Sequence, residues 1–369
     1  MFDRRLVSHI NWGLLVLTAI LFLVGVMNLY SASTLRVASG VELDAYFKKQ
    51  LLWGGAGLCA MTALLLVDYR HLKSVSWPFY FLCLVLLVGV SVAGKTIYGA
   101  KRWLDLGFFN LQPTELAKIA VLILGARLMA RMEGRLGWVN LGKALLIGLV
   151  PAAFVFKQPD LGSALNILLI LGGMILFKGI TPGVFKVLVV ALPSLLPFGW
   201  FFLHDYQKQR ILTFLDPGND PLGAGYHIIQ SQIAIGSGGF WGKGFLEGTQ
   251  SQLRFLPEKH TDFAFAVFGE EWGFCGAMIL LVLFCSFLYQ IYIISMEAKD
   301  DFGSYIAAGV FFYFFWQILI NMGMVLGIMP VVGIPLPFIS YGGSASLVNF
   351  CMIGLVLNVA MRRFVFKKG

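Results

Sequence analysis

The most regular feature of this chain is a series of long apolar runs separated by short polar segments. The hydrocarbon core of a bilayer is about 30 Å thick, and a helix needs about 20 apolar residues to cross it. Runs of this length predict ten spans, at residues 12–30, 51–67, 77–94, 114–132, 144–156, 161–177, up to about 203, 263–295, and two between 302 and 361. The pattern therefore predicts an all-α, polytopic integral membrane protein with about ten transmembrane helices.

The longest polar interval, at residues 204–262, separates the seventh span from the eighth. Within it, isoleucines interleave with polar residues over 228–235, which is typical of a short amphipathic segment lying on the outer leaflet. A glycine run at 236–244 lacks the strand and the GK[ST] end of a phosphate-binding loop, so we expect a flexible loop there. We find no domain boundary and no repeat, and we predict a single domain over residues 1–369 with one large extracytoplasmic loop.

Composition narrows the class of protein further. Hydrophobic residues make up 58% of the chain and charged residues only 13%, whereas charged residues make up about a quarter of a soluble domain. This excludes a soluble enzyme, a disordered protein and a nucleic-acid-binding module, and no nucleic-acid partner is expected. The five cysteines lie in apolar runs without CxxC spacing, so we expect from them neither disulfides nor a metal site.

The distribution of basic residues predicts how the helices are oriented. With a cytoplasmic N-terminus, the inner segments hold 15 of the 28 basic residues and six of the 19 acidic ones. The inner side then has a net charge of +9 and the outer side a net charge of 0. Because basic residues concentrate in cytoplasmic loops, both termini are predicted to be cytoplasmic. The loop at 204–262 and the short loop at 157–160 are then extracytoplasmic.

Charged residues at the outer ends of the spans are the first candidates for chemistry, because lipid-exposed charge costs about 2.5–3.5 kcal/mol on insertion scales. Pro113 and Glu115 are typical of a helix start. Glu115 and Lys118 share one helical face at i, i+3 spacing. They form either a structural ion pair or the polar wall of a cavity that contacts a hydrophilic headgroup.

Other outer segments each have two interpretations. Lys101, Arg102 and Lys157 are either snorkelling anchors or holders of an anionic group such as phosphate. Asp262 comes directly before a long apolar run, so it is either the N-cap of that helix or a general base at the membrane surface. The segment at 321–344 is rich in proline and glycine, and it is either a re-entrant turn that faces a cavity or a plain tight connection between helices.

Several of these segments together resemble the SEDS family of membrane proteins (shape, elongation, division and sporulation). The motifs that carry the resemblance lie at 99–103, 112–115 with Lys118, 157–162, 256–263, 321–327 with Pro330 and Gly333, and 340–345. Residues 248–253 and the short N-terminal tail are more similar to the elongation branch of the family than to its division branch. The resemblance covers essentially the whole chain, and the departures are small, with Lys101 where arginine is common and Ala345 where serine is common.

The resemblance implies a peptidoglycan glycosyltransferase that acts in cell elongation and rod shape. It would polymerise lipid II, a disaccharide-pentapeptide on undecaprenyl pyrophosphate, into β-1,4-linked glycan at the outer face of the bacterial cytoplasmic (inner) membrane. Asp262 is implied as the catalytic general base of an inverting reaction. The substrate contacts implied are Lys101, Arg102, Glu115, Lys118, Lys157, Asp160, His260 and Ser340.

The resemblance also implies partners, and it leaves alternatives open. It implies no obligatory cofactor, although a divalent cation (Mg²⁺ or Mn²⁺) is a candidate for stabilising the leaving pyrophosphate. The implied partners are a class B penicillin-binding protein, which is the transpeptidase, and other membrane proteins of the elongation machinery. The alternatives are a lipid II flippase or transporter, a division paralogue, and a scaffold that only recruits partners. A flippase would need a polar path across the whole membrane, whereas the candidate charges cluster on the outer side.

Overall fold

The computed structural model describes residues 9–37, 40–43, 46–97, 100–105, 107, 110–203, 205–219, 223–253, 255–256 and 258–363. Helices dominate this part of the chain. They are α1 (Trp12–Ser33), α2 (Tyr46–Leu66), α3 (Leu72–Ala93), α4 (Pro113–Arg131), α5 (Trp138–Lys157), α6 (Leu161–Lys178), α7 (Pro182–Phe202), α8 (Asp205–Leu215), α9 (Ala224–Gly238), α10 (Thr249–Gln252), α11 (Ala264–Met296), α12 (Asp301–Val325) and α13 (Gly343–Met361). Short strands form two antiparallel sheets, β1 (Thr34–Val37) with β2 (Gly40–Leu43), and β3 (Lys95–Ile97), β4 (Ala100–Asp105) and β5 (Asn110–Leu111) in that order.

Ten of the described helices have at least 18 residues, which confirms the predicted all-α polytopic class. Eight of them are long and apolar enough to cross a membrane, among the residues described. The other two are α4, which carries four charged side chains, and α7, whose shorter apolar part is Pro182–Ala191. Because successive spans alternate in direction, the strands, the loop at 157–160, helices α8–α10 and the connection between α12 and α13 all lie at one end of the bundle.

The apolar runs predicted the long helices correctly but did not predict all of the residues at which they begin. Helix α2 begins five residues before the predicted start at 51, and α5 begins six residues before the predicted start at 144. The added turns contain lysines, namely Lys48 and Lys49 in α2 and Lys143 in α5. Long lysine side chains reach water from the end of a span, so helical geometry continues past the apolar run.

The loop at 204–262 is more ordered and more closely packed than predicted. Helix α9 packs against α11 and α12, and the hydroxyl of its Ser231 donates a hydrogen bond to the carbonyl of Val325 at 2.9 Å. The predicted amphipathic segment is thus a helix whose Ile228 and Ala234 are covered by the bundle, while Ile233 is 44% exposed. Its place on the outer leaflet stays a prediction.

The glycine run at 236–244 packs against a break in helix α11. Gly273 has φ 63° and ψ −162° inside α11, a conformation that favours glycine, and a Cβ there would lie 2.3 Å from the backbone nitrogen of Gly242. The broken helix exchanges backbone hydrogen bonds with the run, including Lys243 N to Glu270 O at 3.1 Å and Phe274 N to Gly239 O at 2.9 Å. The expectation of a flexible loop is therefore wrong.

Residues 326–342, which connect α12 to α13 and are called here the re-entrant segment, enter the bundle from the end that carries the strands and helices α8–α10. The ring of Phe338 packs among Phe287, Phe314 and Phe350, with centroids 5.6–5.9 Å apart. A Cβ on Gly25 of α1 would lie 2.0 Å from the carbonyl oxygen of Phe338. Gly25 lies eight residues before the last residue of α1, Ser33, about 12 Å at 1.5 Å per residue. A plain tight connection is therefore wrong, because the segment re-enters the bundle. A cavity beside it stays a prediction.

Candidate active site

Asp262 lies one residue before the N-cap of α11, at the end of the bundle that carries the strands and helices α8–α10. That N-cap is Phe263, and no side chain caps the helix. The Asp262 carboxylate is half-buried, and no residue that the structure describes donates a hydrogen bond to it. The N-cap interpretation of Asp262 is therefore wrong, and its carboxylate is available to act on a bound molecule.

The electrostatic surroundings of Asp262 suit a base that works near neutral pH. Burial is the main cause of a raised pKa at Asp262, which lies at about 6 against an ordinary value of 3.8. The negative charges of Glu258 and Asp160 also raise this pKa, while the positive charge of Arg210 lowers it. The fold therefore brings the predicted residues Asp262 and Asp160 into one electrostatic neighbourhood, and a general base is most effective when its pKa is close to the working pH.

The re-entrant segment passes beside the carboxylate of Asp262. A Cβ added to Gly333 would lie 3.4 Å from Asp262 Oδ2. The amide of Asn321 donates to the backbone carbonyl of Asp262 at 2.9 Å and to that of Ile334 at 2.8 Å. From α8, Arg210 Nη1 donates to the carbonyl of Val331 at 3.1 Å. The re-entrant segment thus lies beside the carboxylate of Asp262, the end of α12 holds its backbone, and α8 holds the re-entrant segment from another side.

Arg102 and Asp160 connect strand β4 to the short loop before α6. Arg102 Nε lies 3.8 Å from Asp160 Oδ2, and its Nη2 donates to the carbonyl of Pro159. Asp160 also caps α6 by accepting a hydrogen bond from Ser163 N at 3.1 Å. Lys157 is exposed at the end of α5, and the side chain of Lys101 lies outside the described residues. Asp160 therefore positions the loop, while Arg102 and Lys157 supply positive charge at the same end of the bundle as Asp262.

His260 belongs to an aromatic group that is formed with the start of α2 and the end of the re-entrant segment. Its ring stacks on Tyr46 at 4.3 Å, and its carbonyl accepts a hydrogen bond from Tyr341 N at 2.7 Å. Ser340 is buried, and its hydroxyl accepts a hydrogen bond from Leu336 N at 2.9 Å. The structure thus places His260 two residues from Asp262 at a partly exposed position, and gives Ser340 a local contact that closes a turn.

Glu115 and Lys118 form an ion pair inside the bundle and not on the surface around Asp262. Lys118 Nζ lies 2.7 Å from Glu115 Oε1, and both side chains are at most 5% exposed. Lys118 Nζ also lies 5.8 Å from the centroid of the Tyr313 ring, whose hydroxyl donates to Asn349 at 2.8 Å. The predicted pairing is therefore present and buried, while a contact of either side chain with a substrate headgroup stays a prediction.

Comparison with known proteins identifies the family to which this chain belongs. The family model described as "Cell cycle protein", FTSW_RODA_SPOVE, matches residues 12–364. The chain belongs to this family. The resemblance to the SEDS proteins is thereby confirmed.

Relatives within the family are similar along almost their whole length. The peptidoglycan glycosyltransferase MrdB of Escherichia coli K12 is 43% identical over 355 residues, which cover 95% of each chain. A probable peptidoglycan glycosyltransferase FtsW of Geobacter metallireducens is 36% identical over 95% of this chain and 94% of its own.

Solved structures of the family share this fold. A structure titled "Structural coordination of polymerization and crosslinking by a peptidoglycan synthase complex" matches with a TM-score of 0.82 and 30% identity, over 97% of this chain and 99% of that chain. RodA of Thermus thermophilus matches with a TM-score of 0.71 and 28% identity, over 97% and 98%.

Two buried glutamates of this family member, for which the sequence suggested no role, anchor the loop that leads to Asp262. Glu270 Oε1 lies 2.7 Å from Lys243 Nζ and accepts from Gln250 N at 2.9 Å. The same carboxylate accepts from Ser251 N at 3.2 Å, and the carbonyl of Ser251 accepts from Lys259 Nζ at 2.6 Å. Glu271 accepts hydrogen bonds from the Ser31 hydroxyl and from Leu246 N. The segment before Asp262 is thus fixed to α11 itself.

Among the described residues, no group of three or more His, Cys, Asp or Glu side chains is arranged to hold a metal ion. Mg²⁺ is commonly held by one or two carboxylates together with the phosphates of a substrate, so the divalent cation at the pyrophosphate stays a prediction. The guanidinium of Arg210 contributes positive charge close to Asp262.

Arg210 is the functional candidate that the sequence analysis missed. It lies in the long polar interval, where one charged residue among many gives no local signal. Only the fold, by packing α8 beside the re-entrant segment, brings this guanidinium close to Asp262.

Proposed function

We propose that this chain is a peptidoglycan glycosyltransferase that polymerises lipid II during cell elongation, with Asp262 as the general base. The observation that carries the proposal is the enclosed, uncapped Asp262 carboxylate with a pKa of about 6. The family membership supports the activity, and the greater similarity to MrdB than to FtsW supports elongation over division.

The proposed reaction needs one base and a stabilised leaving group. Asp262 takes the proton of the 4-hydroxyl of the acceptor sugar, and that oxygen attacks C1 of the donor. The C1–O bond to the pyrophosphate breaks as the new bond forms, and its electron pair leaves with the pyrophosphate. A single displacement inverts the α-linked anomeric centre and gives a β-1,4 bond. The pyrophosphate needs no proton from an acid, because nearby cations stabilise its charge.

The cations best placed for the pyrophosphate are at the outer end of the bundle. Arg210 lies near Asp262, Arg102 is beside Asp160, and Lys157 is exposed one short loop away. A guanidinium matches two phosphate oxygens at once, whereas a lysine supplies a point charge. Lys101, on the same strand as Arg102, stays a candidate from the resemblance, as does His260 for a sugar contact.

The proposed setting is the bacterial cytoplasmic (inner) membrane, with both termini in the cytoplasm and Asp262 facing outward. The charge distribution supports this orientation. The proposed partners are a class B penicillin-binding protein and other membrane proteins of the elongation complex. The match to a chain from a peptidoglycan synthase complex that coordinates polymerisation and crosslinking supports a transpeptidase partner.

Polymerisation of labelled lipid II by the purified protein with its cognate transpeptidase tests the proposal. Asp262→Asn removes the charge and keeps the size, and since Asp262 does not cap α11, the helix start is unaffected. Asp105→Asn is the matched control, because Asp105 is exposed on β4 and paired with Lys95. We expect glycan strands from the wild type and the control and none from folded Asp262→Asn.

Each other outcome contradicts part of the proposal. Equal product from wild type and Asp262→Asn would exclude Asp262 as the base. No product from any folded, partner-bound variant, together with movement of labelled lipid II across vesicles, would favour the flippase.

A further inference from the structure

We propose that Asn321 is a positioning residue, which holds Asp262 in its reactive place by joining its backbone to the re-entrant segment. The inference rests on the proposed function, because it concerns the base of that reaction. Asn321 lies in the last turn of α12 and is fully buried.

The contacts of Asn321 determine the orientation of its amide. Its Nδ2 donates to the carbonyl of Asp262 at 2.9 Å and to the carbonyl of Ile334 at 2.8 Å. Both partners are acceptors, and an amide NH₂ group has two protons to donate. The arrangement therefore requires an NH₂ group here, which Asp, Leu and Ser lack.

The two accepting carbonyl groups belong to the two segments that must be held together. The carbonyl of Asp262 accepts no hydrogen bond from the first turn of α11, since Ala266 N donates to Phe263 O instead. Ile334 follows Gly333, which lies beside Asp262 Oδ2. A single buried amide thus fixes the backbone that carries the carboxylate and the backbone that covers it.

Other contacts hold the re-entrant segment but do not bind the backbone of Asp262 itself. Arg210 holds the carbonyl of Val331, the ring of Phe338 is packed in the core, and Tyr341 N donates to the carbonyl of His260, two residues before Asp262. Loss of the Asn321 amide is therefore expected to release the Asp262 carbonyl from Ile334 and to shift the carboxylate, while the rest of the segment stays in place.

Two consequences follow for catalysis. A displacement of about 1 Å in a catalytic group can cost on the order of 10²-fold in rate. A carboxylate that swings into water also loses the burial that raises its pKa, so this pKa should fall from about 6 towards 3.8. The positioning role thus predicts a slower reaction. It also predicts that the acidic limb of the pH–rate profile, where the rate falls as the pH is lowered, moves to lower pH.

Asn321→Leu and the smaller Asn321→Ser test the inference, with Asn166→Leu as the matched control. Asn166 is also a fully buried asparagine in a long helix, but its side chain makes no hydrogen bond to a described residue. The assay is the pH dependence of lipid II polymerisation by the complex with its transpeptidase, with kcat and KM measured separately. The amount of folded, partner-bound protein normalises each rate.

We expect a fall in kcat on the order of 10²-fold for the Asn321 variants, a smaller change in KM, and an acidic limb displaced to lower pH. The control should keep the wild-type rate and limb. A normalised rate and limb equal to wild type in Asn321→Leu, or in Asn321→Ser if only that variant folds, would overturn the inference. So would a lower rate with an unmoved limb, since that is the result of a structural role alone. Failure of the proposed function is distinct, because Asp262→Asn would then keep wild-type activity.

Discussion

Lowering the pH of the polymerisation assay is expected to stop the reaction at a pH set by Asp262. Only the ionised carboxylate accepts a proton, so the rate should follow its ionised fraction. With a pKa of about 6, about 90% is ionised at pH 7 and about 10% at pH 5, a fall of roughly tenfold. A carboxylate with the ordinary pKa of 3.8 would still be about 94% ionised at pH 5 and would lose almost nothing.

Two substitutions should move this acidic limb in opposite directions. Glu258→Gln removes a negative charge that raises the pKa of Asp262, so the limb should move to lower pH. Arg210→Gln removes a positive charge that lowers the same pKa, so the limb should move to higher pH, in addition to any loss of rate. Asp105→Asn is the control, because this exposed residue is paired with Lys95 and does not contribute to the pKa of Asp262.

The measurement is the initial rate of glycan formation between pH 4.5 and 8, with partner binding checked at each pH. A wild-type midpoint near 4 would refute the enclosed environment described for Asp262. A midpoint near 6 that neither substitution moves would assign the titration to another group.

Three further predictions concern stability. Since the pKa of Asp262 is raised in the folded state, its ionised form opposes folding above pH 6. Asp262→Asn should therefore stabilise the protein at pH 7.5, by at most about 3 kcal/mol for this half-buried group, with no gain below pH 4, as thermal unfolding would show. Lys118→Met should cost about 3–5 kcal/mol, because Glu115 is left buried and unpaired. The double variant with Glu115→Gln should regain most of that loss, and no recovery would contradict the coupling. Glu270→Gln weakens the pair with Lys243, so amide hydrogen exchange over 243–252 should accelerate, and unchanged exchange would argue against that anchor.

The sequence predicted only part of the candidate site. Some of its features follow from residues close together in the chain, whereas others depend on contacts between distant segments. Glu115 and Lys118 are three residues apart on one helix, so their pairing could be inferred from spacing alone. Asp262 was identified as a candidate, but whether its side chain caps α11 depended on the backbone geometry of one turn. Glu270 had no assignable role, because its partners Lys243 and Gln250 lie in a glycine-rich segment that looked flexible.

What the sequence by itself determined is the membrane architecture. Burial of apolar side chains in lipid depends on the length and composition of each run, which are local properties. The number of long helices and the side on which charged residues gather therefore follow from the sequence. The ends of α2 and α5 do not, because flanking lysines can extend a helix into water.

Only the tertiary structure decided how Asp262 is enclosed. The Asn321 contact to its carbonyl joins residues 59 positions apart, and the Arg210 contact to Val331 joins residues 121 apart. The depth of Phe338 likewise depends on a close approach to Gly25 of α1. Such contacts arise when separate helices pack together, and periodicity within one segment carries no information about them. The pKa of Asp262 depends on this packing, because burial, the neighbouring Glu258 and the distant Asp160 and Arg210 set it together.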